Sequence, residues 1–334
     1  MALSTTLTDH VDAMGLGEPV AFAAFLGGSA VFALADGTVQ FGEGAEGRRI
    51  PVHADAAILV ATQDGDRLIT GGDDGRVAAT KADGVVEFIG DERGKWIDAV
   101  AARGGAIAWT FGKTARARSA KGEVKSIDLP SSSRGLAFFP KGYRLAIAHY
   151  GGATLWFPNA GKPEALAWAG SHLDATISPD GRFLVTSMQE NALHGWRLAD
   201  GKHMRMAGYP GKTRSLSWSH DGKWLATSGA DACIVWPFSG KDGPMGQAPR
   251  ECGVHSAVVT RVAFHPAALV VATGYDDGLV MLTRLTDGSE ILVRHPAQDR
   301  DNVRISALAW DAQGARLAFG AENGDAGVLT LPKG

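Results

Sequence analysis

The sequence predicts an all-β protein: a closed ring of eight four-stranded sheets, with a strand from the N-terminus completing the last sheet. Three observations predict it. One pattern of apolar runs and turns recurs eight times along the 334 residues. The runs are short and rich in Val, Ile, Leu, Thr and aromatics, and no segment sustains a helical period over three turns. The 44 glycines are spread through the chain, as many short turns require.

Residues 217–236, SWSHDGKWLATSGADACIVW, give the clearest copy of the unit. A first apolar run is followed by a turn with Gly, a second run, a turn with Asp, and a segment ending in Trp. The order recurs at LAFFPKGYRLAIAHYGGATLW (136–156) and ATISPDGRFLVTSMQENALHGW (175–196). It returns more loosely at RVAFHPAALVVATGYDDGLVML (261–282) and ALAWDAQGARLAFGAENGDAGVLT (307–330). Earlier copies at 21–41, 58–79 and 99–118 are fainter but keep phase. Asp36, Asp74, Gly112, Gly151, Asn191, Asp231, Asp277 and Asp325 mark the register, in steps of 38, 38, 39, 40, 40, 46 and 48 residues. Trp156, Trp196 and Trp236 stand 40 apart and share one packing position.

Runs such as VVEFIG (85–90) and VKSIDL (124–129) supply a fourth strand. Four antiparallel strands in every unit of about forty residues is the pattern of a β-propeller blade. The repeats divide a single domain, 1–334, into 18–53, 54–95, 96–132, 133–170, 171–211, 212–253, 254–300 and 301–334 plus 4–13. The last unit ends after three strands, so TLTDHVD (6–12) is expected to complete it. A seven-bladed ring is the alternative, because the first and third units are degenerate.

The turns SPDG (178–181), SHDG (219–222), PKG (140–142) and DDG (73–75, 276–278) carry a family resemblance, as do the strand-ending tryptophans. The dipeptides ending in His53, His172 and His255 add to it. Over essentially its whole length the chain resembles a WD40-repeat β-propeller, in a degenerate, bacterial-looking form. The resemblance implies a role in protein–protein interaction. It also implies an internal hydrogen-bonded set of His, Ser/Thr, Asp and Trp, which no unit carries complete. The unit with His172 and Trp196 has Asn191 at the Asp position, and the unit with His255 and Asp277 has Leu282 at the Trp position.

Bulk composition bounds the function. Charged residues are 21% and apolar residues 45%, the balance of a folded chain. A net charge of −3 argues against coating nucleic acid or an anionic membrane. The N-terminal stretch lacks a basic segment followed by an apolar core, and no run approaches the length of a membrane span. Two cysteines, Cys233 and Cys252, are too few for a disulfide framework and fit a reducing, cytoplasmic setting.

Chemistry-bearing motifs are absent or incomplete. GEGAEG (42–47) matches a phosphate-loop spacing but opens no helix and carries two glutamates. Cys252 and His255, with His265 beyond, lack the fourth ligand of a structural zinc. No metal, cofactor or catalytic residue is assigned. Aspartates of the turns, Asp74, Asp231 and Asp277, read as structural acceptors of backbone hydrogen bonds.

Binding residues are instead sought where copies differ. Trp96 stands in ERGKWID, ahead of a first strand, where loops surface. Arg134, Arg214, Arg261 and Arg304 recur near the start of first strands, with His149, Tyr150, Gln189, Tyr275, Asp276 and Glu322 at strand-entry or second-turn positions. Arg, Trp and Tyr dominate interface hot spots, so these form a candidate rim for partner proteins. Lys113, Arg116 and Arg118 form a basic run that is either a solvated outer surface or a patch for an anionic ligand or partner. The expected protein is a non-catalytic interaction scaffold, monomeric by itself. An enzyme, or a small-molecule or metal binder using a central channel, is the alternative, requiring a convergent His/Asp/Glu cluster.

Overall fold

The computed structural model describes residues 6–42, 47–297, 301 and 303–332. Most strands follow the logic of their sequence, with β-branched and aromatic residues between turns that are often Gly-bearing. A 3-10 turn, Thr8–His10, leads into β1 (Val11–Gly15). The first sheet is β2 (Val20–Leu26), β3 (Ser29–Leu34), β4 (Thr38–Phe41) and β5 (Arg48–Pro51). The second is β6 (Ile58–Asp64), β7 (Arg67–Gly72), β8 (Arg76–Lys81) and β9 (Val86–Asp91). The third is β10 (Ala99–Arg103), β11 (Ala106–Phe111), β12 (Thr114–Arg118) and β13 (Val124–Asp128).

A larger sheet follows: β14 (Gly135–Phe138), β15 (Leu145–Trp156), β16 (Glu164–Ile177), β17 (Phe183–Met188), β18 (Leu193–Arg197) and β19 (His203–Met206). Next come β20 (Leu216–Trp218), β21 (Trp224–Thr227), β22 (Cys233–Pro237) and β23 (Arg250–Cys252). Then come β24 (Val259–Phe264), β25 (Val270–Tyr275), β26 (Val280–Arg284) and β27 (Glu290–Arg294). The last sheet joins β28 (Ile305–Trp310), β29 (Arg316–Ala321) and β30 (Asp325–Thr330) to β1.

The expectation of a closed ring of eight four-stranded sheets is thereby corrected. The described strands form seven sheets, six of four strands and one of six. The cause lies in β16. Its first part pairs with β15, from Leu155↔Glu164 to Tyr150↔Ser171, and its second part pairs with β17, from His172↔Met188 to Ile177↔Leu184. No proline or Asp-Gly turn interrupts residues 164–177, so the outer strand of the fourth repeat runs on as the inner strand of the fifth. Gly170, at φ +122, lets the chain bend between the two pairings. The chain divides into two compact units, Met1–Pro51 with Arg214–Gly334, and Val52–Thr213.

Within the first unit, β1 lies antiparallel to β30 from Val11↔Leu329 to Gly15↔Asp325. The N-terminal strand thus begins at Val11, later than the 6–12 segment expected. Upstream, Thr6 bridges to Leu292 in parallel, and the Leu7 N–H donates to the Leu292 carbonyl at 2.8 Å.

One packing device recurs in both units. Three strand glycines face a β-branched residue that stands at or just before the first strand of the following sheet. A Cβ on Gly274 would stand 2.5 Å from Ile305 Cγ2, and one on Gly320 would stand 2.5 Å from Val20 Cγ1. In the other unit, a Cβ on Gly71 would stand 2.4 Å from Ile97 Cγ2. Ile97, Ile305 and Val20 are all buried. The missing side chain is what lets neighbouring sheets approach, as close packing demands.

Candidate functional site

Antiparallel register sets where side chains can meet a partner. The start of each first strand lies opposite the end of the second: Gly135↔Ala148 and Ala99↔Thr110, for example. The loop before the first strand and the turn after the second therefore share one end of each sheet, its leading end.

In the unit Val52–Thr213, Trp96 and Tyr150 project from leading ends, each 67% exposed. The segment carrying Trp96 is pinned by its backbone. Glu92 N–H donates to Gly75 O (2.8 Å), Lys95 N–H to Glu92 O (3.0 Å) and Ile97 N–H to Gly72 O (3.1 Å). Ile97 is driven inward, so Trp96 is turned out. Gly75, at φ +78, is required here, because a Cβ would stand 2.4 Å from the Glu92 carbonyl oxygen.

Tyr150 stands at a bulge beside Gly151 and Gly152, its N–H held by Ser131 Oγ at 2.9 Å. Beneath it, His149 Nδ1–H donates to the Tyr150 carbonyl (2.9 Å), which leaves Nε2 to accept from Thr154 Oγ1 (2.8 Å). Arg134 and Gln189 are exposed, and Leu59 adds apolar surface at the start of β6. Burial raises the Asp98 carboxyl above its ordinary range, opposed by the Gly112 N–H and by Arg134.

In the other unit, Asp276, Arg304 and Glu322 are exposed at leading ends. Arg304 Nε lies 3.8 Å from Glu322 Oε1, and Asp276 Oδ1 accepts the Val258 N–H at 3.1 Å. Val254 and Val258 are exposed in the same unit, Val258 also accepting the Asp276 N–H at its carbonyl (2.9 Å), an apolar pair that the sequence pattern did not single out. The cue was there: valines in CGVHSAVV fall outside any apolar alternation that would bury them. Arg214 and Arg261 are half-buried. Arg261 is committed inward, Nε to the Ser306 carbonyl (2.6 Å) and NH1 to the Thr260 carbonyl (3.0 Å).

Tyr275 needs correcting. Expected on the rim, it is fully buried at the end of β25, its ring edge-on to His255 and its hydroxyl donating to the Gly253 carbonyl. It offers nothing to a partner directly.

The basic run is largely consumed within the fold. Arg116 pairs with Glu92 at 2.8 Å and Arg118 with Glu87 at 3.5 Å, both carboxylates belonging to the preceding repeat. Glu92 is itself buried and also accepts from Trp109 Nε1 at 2.9 Å. Lys113 is exposed. These pairs bind one sheet to the next and leave little net charge for an anionic ligand.

Trp156, Trp196 and Trp236 are all buried. Asp231 is exposed, and its carbonyl accepts the His255 N–H. The internal networks are partial but present. His53 contacts Asp74 Oδ1 through Nδ1 (3.0 Å) and Thr70 Oγ1 through Nε2 (2.9 Å). His255 Nε2 meets Asp277 Oδ2 at 2.7 Å, and His172 Nδ1 meets Thr186 Oγ1 at 2.7 Å. Such pairs order the ring tautomer and fix the turn, so these histidines and carboxylates are occupied internally.

His194 was not foreseen. It is fully buried on β18, stacked on Trp168 at 4.1 Å between ring centres and edge-on to Trp196 at 4.5 Å. Neither ring nitrogen has a hydrogen-bond partner among the described residues. Burial pushes its pKa down to about 3, with His172, His203 and Arg205 adding positive charge nearby. Among the described residues no group of three or more His, Cys, Asp or Glu could hold a metal ion. Of GEGAEG, residues 43–46 lie outside the described residues. No helix among the described residues is long and apolar enough to cross a membrane.

The family model "WD domain, G-beta repeat" matches residues 204–236 and 246–283. Protein HIR1 of Chaetomium globosum is 25% identical over 182 residues, covering 44% of this chain and 16% of that protein. The chain spans no more than about a fifth of the length of that protein and of its counterpart in Yarrowia lipolytica. Among solved structures, the computationally designed Ika8 protein matches with a TM-score of 0.76 at 17% identity, over 95% of this chain and 98% of that one. The Neurospora crassa Pan2 WD40 domain matches at 0.66 and 12% identity, over 85% and 92%. At these identities the structural likeness carries the fold alone.

Proposed function

We propose that this chain, a member of the WD40-repeat β-propellers, is a non-catalytic scaffold that binds partner proteins through the leading ends of its sheets. One observation carries the reading. The two most exposed aromatics, Trp96 and Tyr150, stand at leading ends on rigidly bonded backbone, while His53, His255, Asp74 and Asp277 are tied up inside the fold. Large aromatics held out in water at 67% exposure cost apolar hydration and return it only when covered. They are also the residue types that dominate interface hot spots.

The candidate contact set is Trp96, Arg134, Tyr150 and Gln189 in one unit, and Asp276, Arg304 and Glu322 in the other. Arg214 and Arg261 support their strands from a half-buried position. The protein acts as a monomer by itself, and a reducing, cytoplasmic setting fits the two free, buried thiols Cys233 and Cys252.

The test is quantitative affinity capture with the wild-type chain and the Trp96→Ala/Tyr150→Ala variant, both verified as folded. Proteins captured by wild type and lost by the variant support the reading. Identical capture by both, or capture indistinguishable from bare beads, overturns it.

A further inference from the structure

We propose that Cys233 and Cys252 close into a reversible cross-strand disulfide, a covalent modification site within the sheet β20–β23. Cys233 opens β22, Cys252 closes β23, and the register pairs them directly, Cys233↔Cys252. Directly opposed residues of an antiparallel pair point to the same face, with Cα atoms about 4.5–5.5 Å apart. A disulfide accepts Cα separations of about 4.4–6.8 Å, so closure needs side-chain rotation and little backbone movement. Both thiols are free, buried and members of one apolar cluster with Tyr275 and Met281.

The closed sheet protects them. Burial raises both thiols, Cys233 more strongly, with Cys252 adding to the shift, so neither is a thiolate while the strands are paired. Opening is local, because β23 is outermost in its sheet and spans only Arg250–Cys252. When β23 lifts, Cys252 reaches water and loses its proton. Its thiolate attacks one sulfur of a small-molecule disulfide, whose S–S bond breaks and releases one half as a thiolate. As β23 returns, Cys233 gives up its proton and attacks the Cys252 sulfur, expelling the second half. Two cysteine thiols are oxidised and one external disulfide is reduced to two thiols.

The bond would tie the outer strand to its neighbour and fix the start of the segment carrying Val254 and Val258. That segment is already anchored through the Gly253 carbonyl, which accepts the Tyr275 hydroxyl. The site stands apart from the scaffold reading, since its formation requires no partner.

The experiment incubates the full chain with oxidised glutathione, alkylates remaining thiols after denaturation, and digests with trypsin. Cleavage after Lys223, Lys241, Arg250 and Arg261 separates peptide 224–241 from peptide 251–261. The expected result is joint loss of both alkylation sites, one disulfide-linked pair of these peptides within a single chain, and its disappearance on reduction. The apparent Tm should rise by roughly 5 °C on oxidation. In Cys252→Ser the Cys233 thiol should stay unmodified while the fold holds. Full alkylation of both cysteines after oxidation, glutathione adducts without the linked pair, or a linkage only between two chains would each overturn the proposal.

Discussion

Acidification should weaken this protein through buried histidines, His194 most of all. The ring is fully buried, and burial holds its pKa at about 3 against an ordinary 6.5. The folded state therefore stays unprotonated where the unfolded chain takes up a proton, so stability is complete above pH 6.5 and falls as pH drops below it. With that shift, the loss is about 1.4 kcal/mol at pH 5.5 and about 2.7 kcal/mol at pH 4.5. His172, also lowered chiefly by burial, adds in the same direction.

The variant that isolates the term is His194→Ile. Its position is equivalent to Ile234: Thr186↔His194 and Thr227↔Ile234 share a register, and each threonine hydroxyl donates to the carbonyl opposite. Urea unfolding of both proteins at pH 7.5, 6.5 and 5.5 measures the slope. The variant should be within about 1 kcal/mol of wild type at pH 7.5 and should lose about 1.4 kcal/mol less on going to pH 5.5. Equal slopes for the two proteins would refute the assignment of the acid sensitivity to His194.

Three further outcomes follow from the packing. Gly274→Ala drives a Cβ to 2.5 Å from Ile305 Cγ2 and should cost about 1–3 kcal/mol in chemical denaturation. Asp74→Ala leaves the buried His53 Nδ1 without its carboxylate and should cost about 1–3 kcal/mol, while Asp231→Ala, whose side chain is exposed, should change stability by less than about 0.5 kcal/mol. Tyr275→Phe removes the hydroxyl donated to Gly253 and should lower stability by about 1 kcal/mol, with partner binding unchanged because the ring is inside.

The repeat was legible because its signals are local. Asp-Gly turns, Gly pairs and tryptophans 40 residues apart each reflect a constraint within one unit. The sheet count was not, since it depends on whether the backbone pairs without a break across residues 164–177, and the side chains there suit either a strand end or a continuous strand. Tyr275 was misplaced for a related reason. It was read as part of the YDDG turn, but it shares the inward parity of Val271 and Thr273 and extends the core by one position. Arg116 and Arg118 looked like free charge because their partners, Glu92 and Glu87, lie in the preceding repeat and meet them only after the sheets pack. Trp96 was legible through the break in pattern it makes, an aromatic after the polar run ERGK.

Partners that bind at the leading ends of the sheets should shield the backbone there from solvent. Hydrogen–deuterium exchange of the chain, free and in complex with a captured partner, tests it most directly. Added protection is expected over 92–98, 131–135 and 149–152, around Trp96, Arg134 and Tyr150, or over 253–258, 276 and 304 in the other unit. Protection confined to the outer strands β9 and β13, with those segments exchanging as in the free chain, would contradict it.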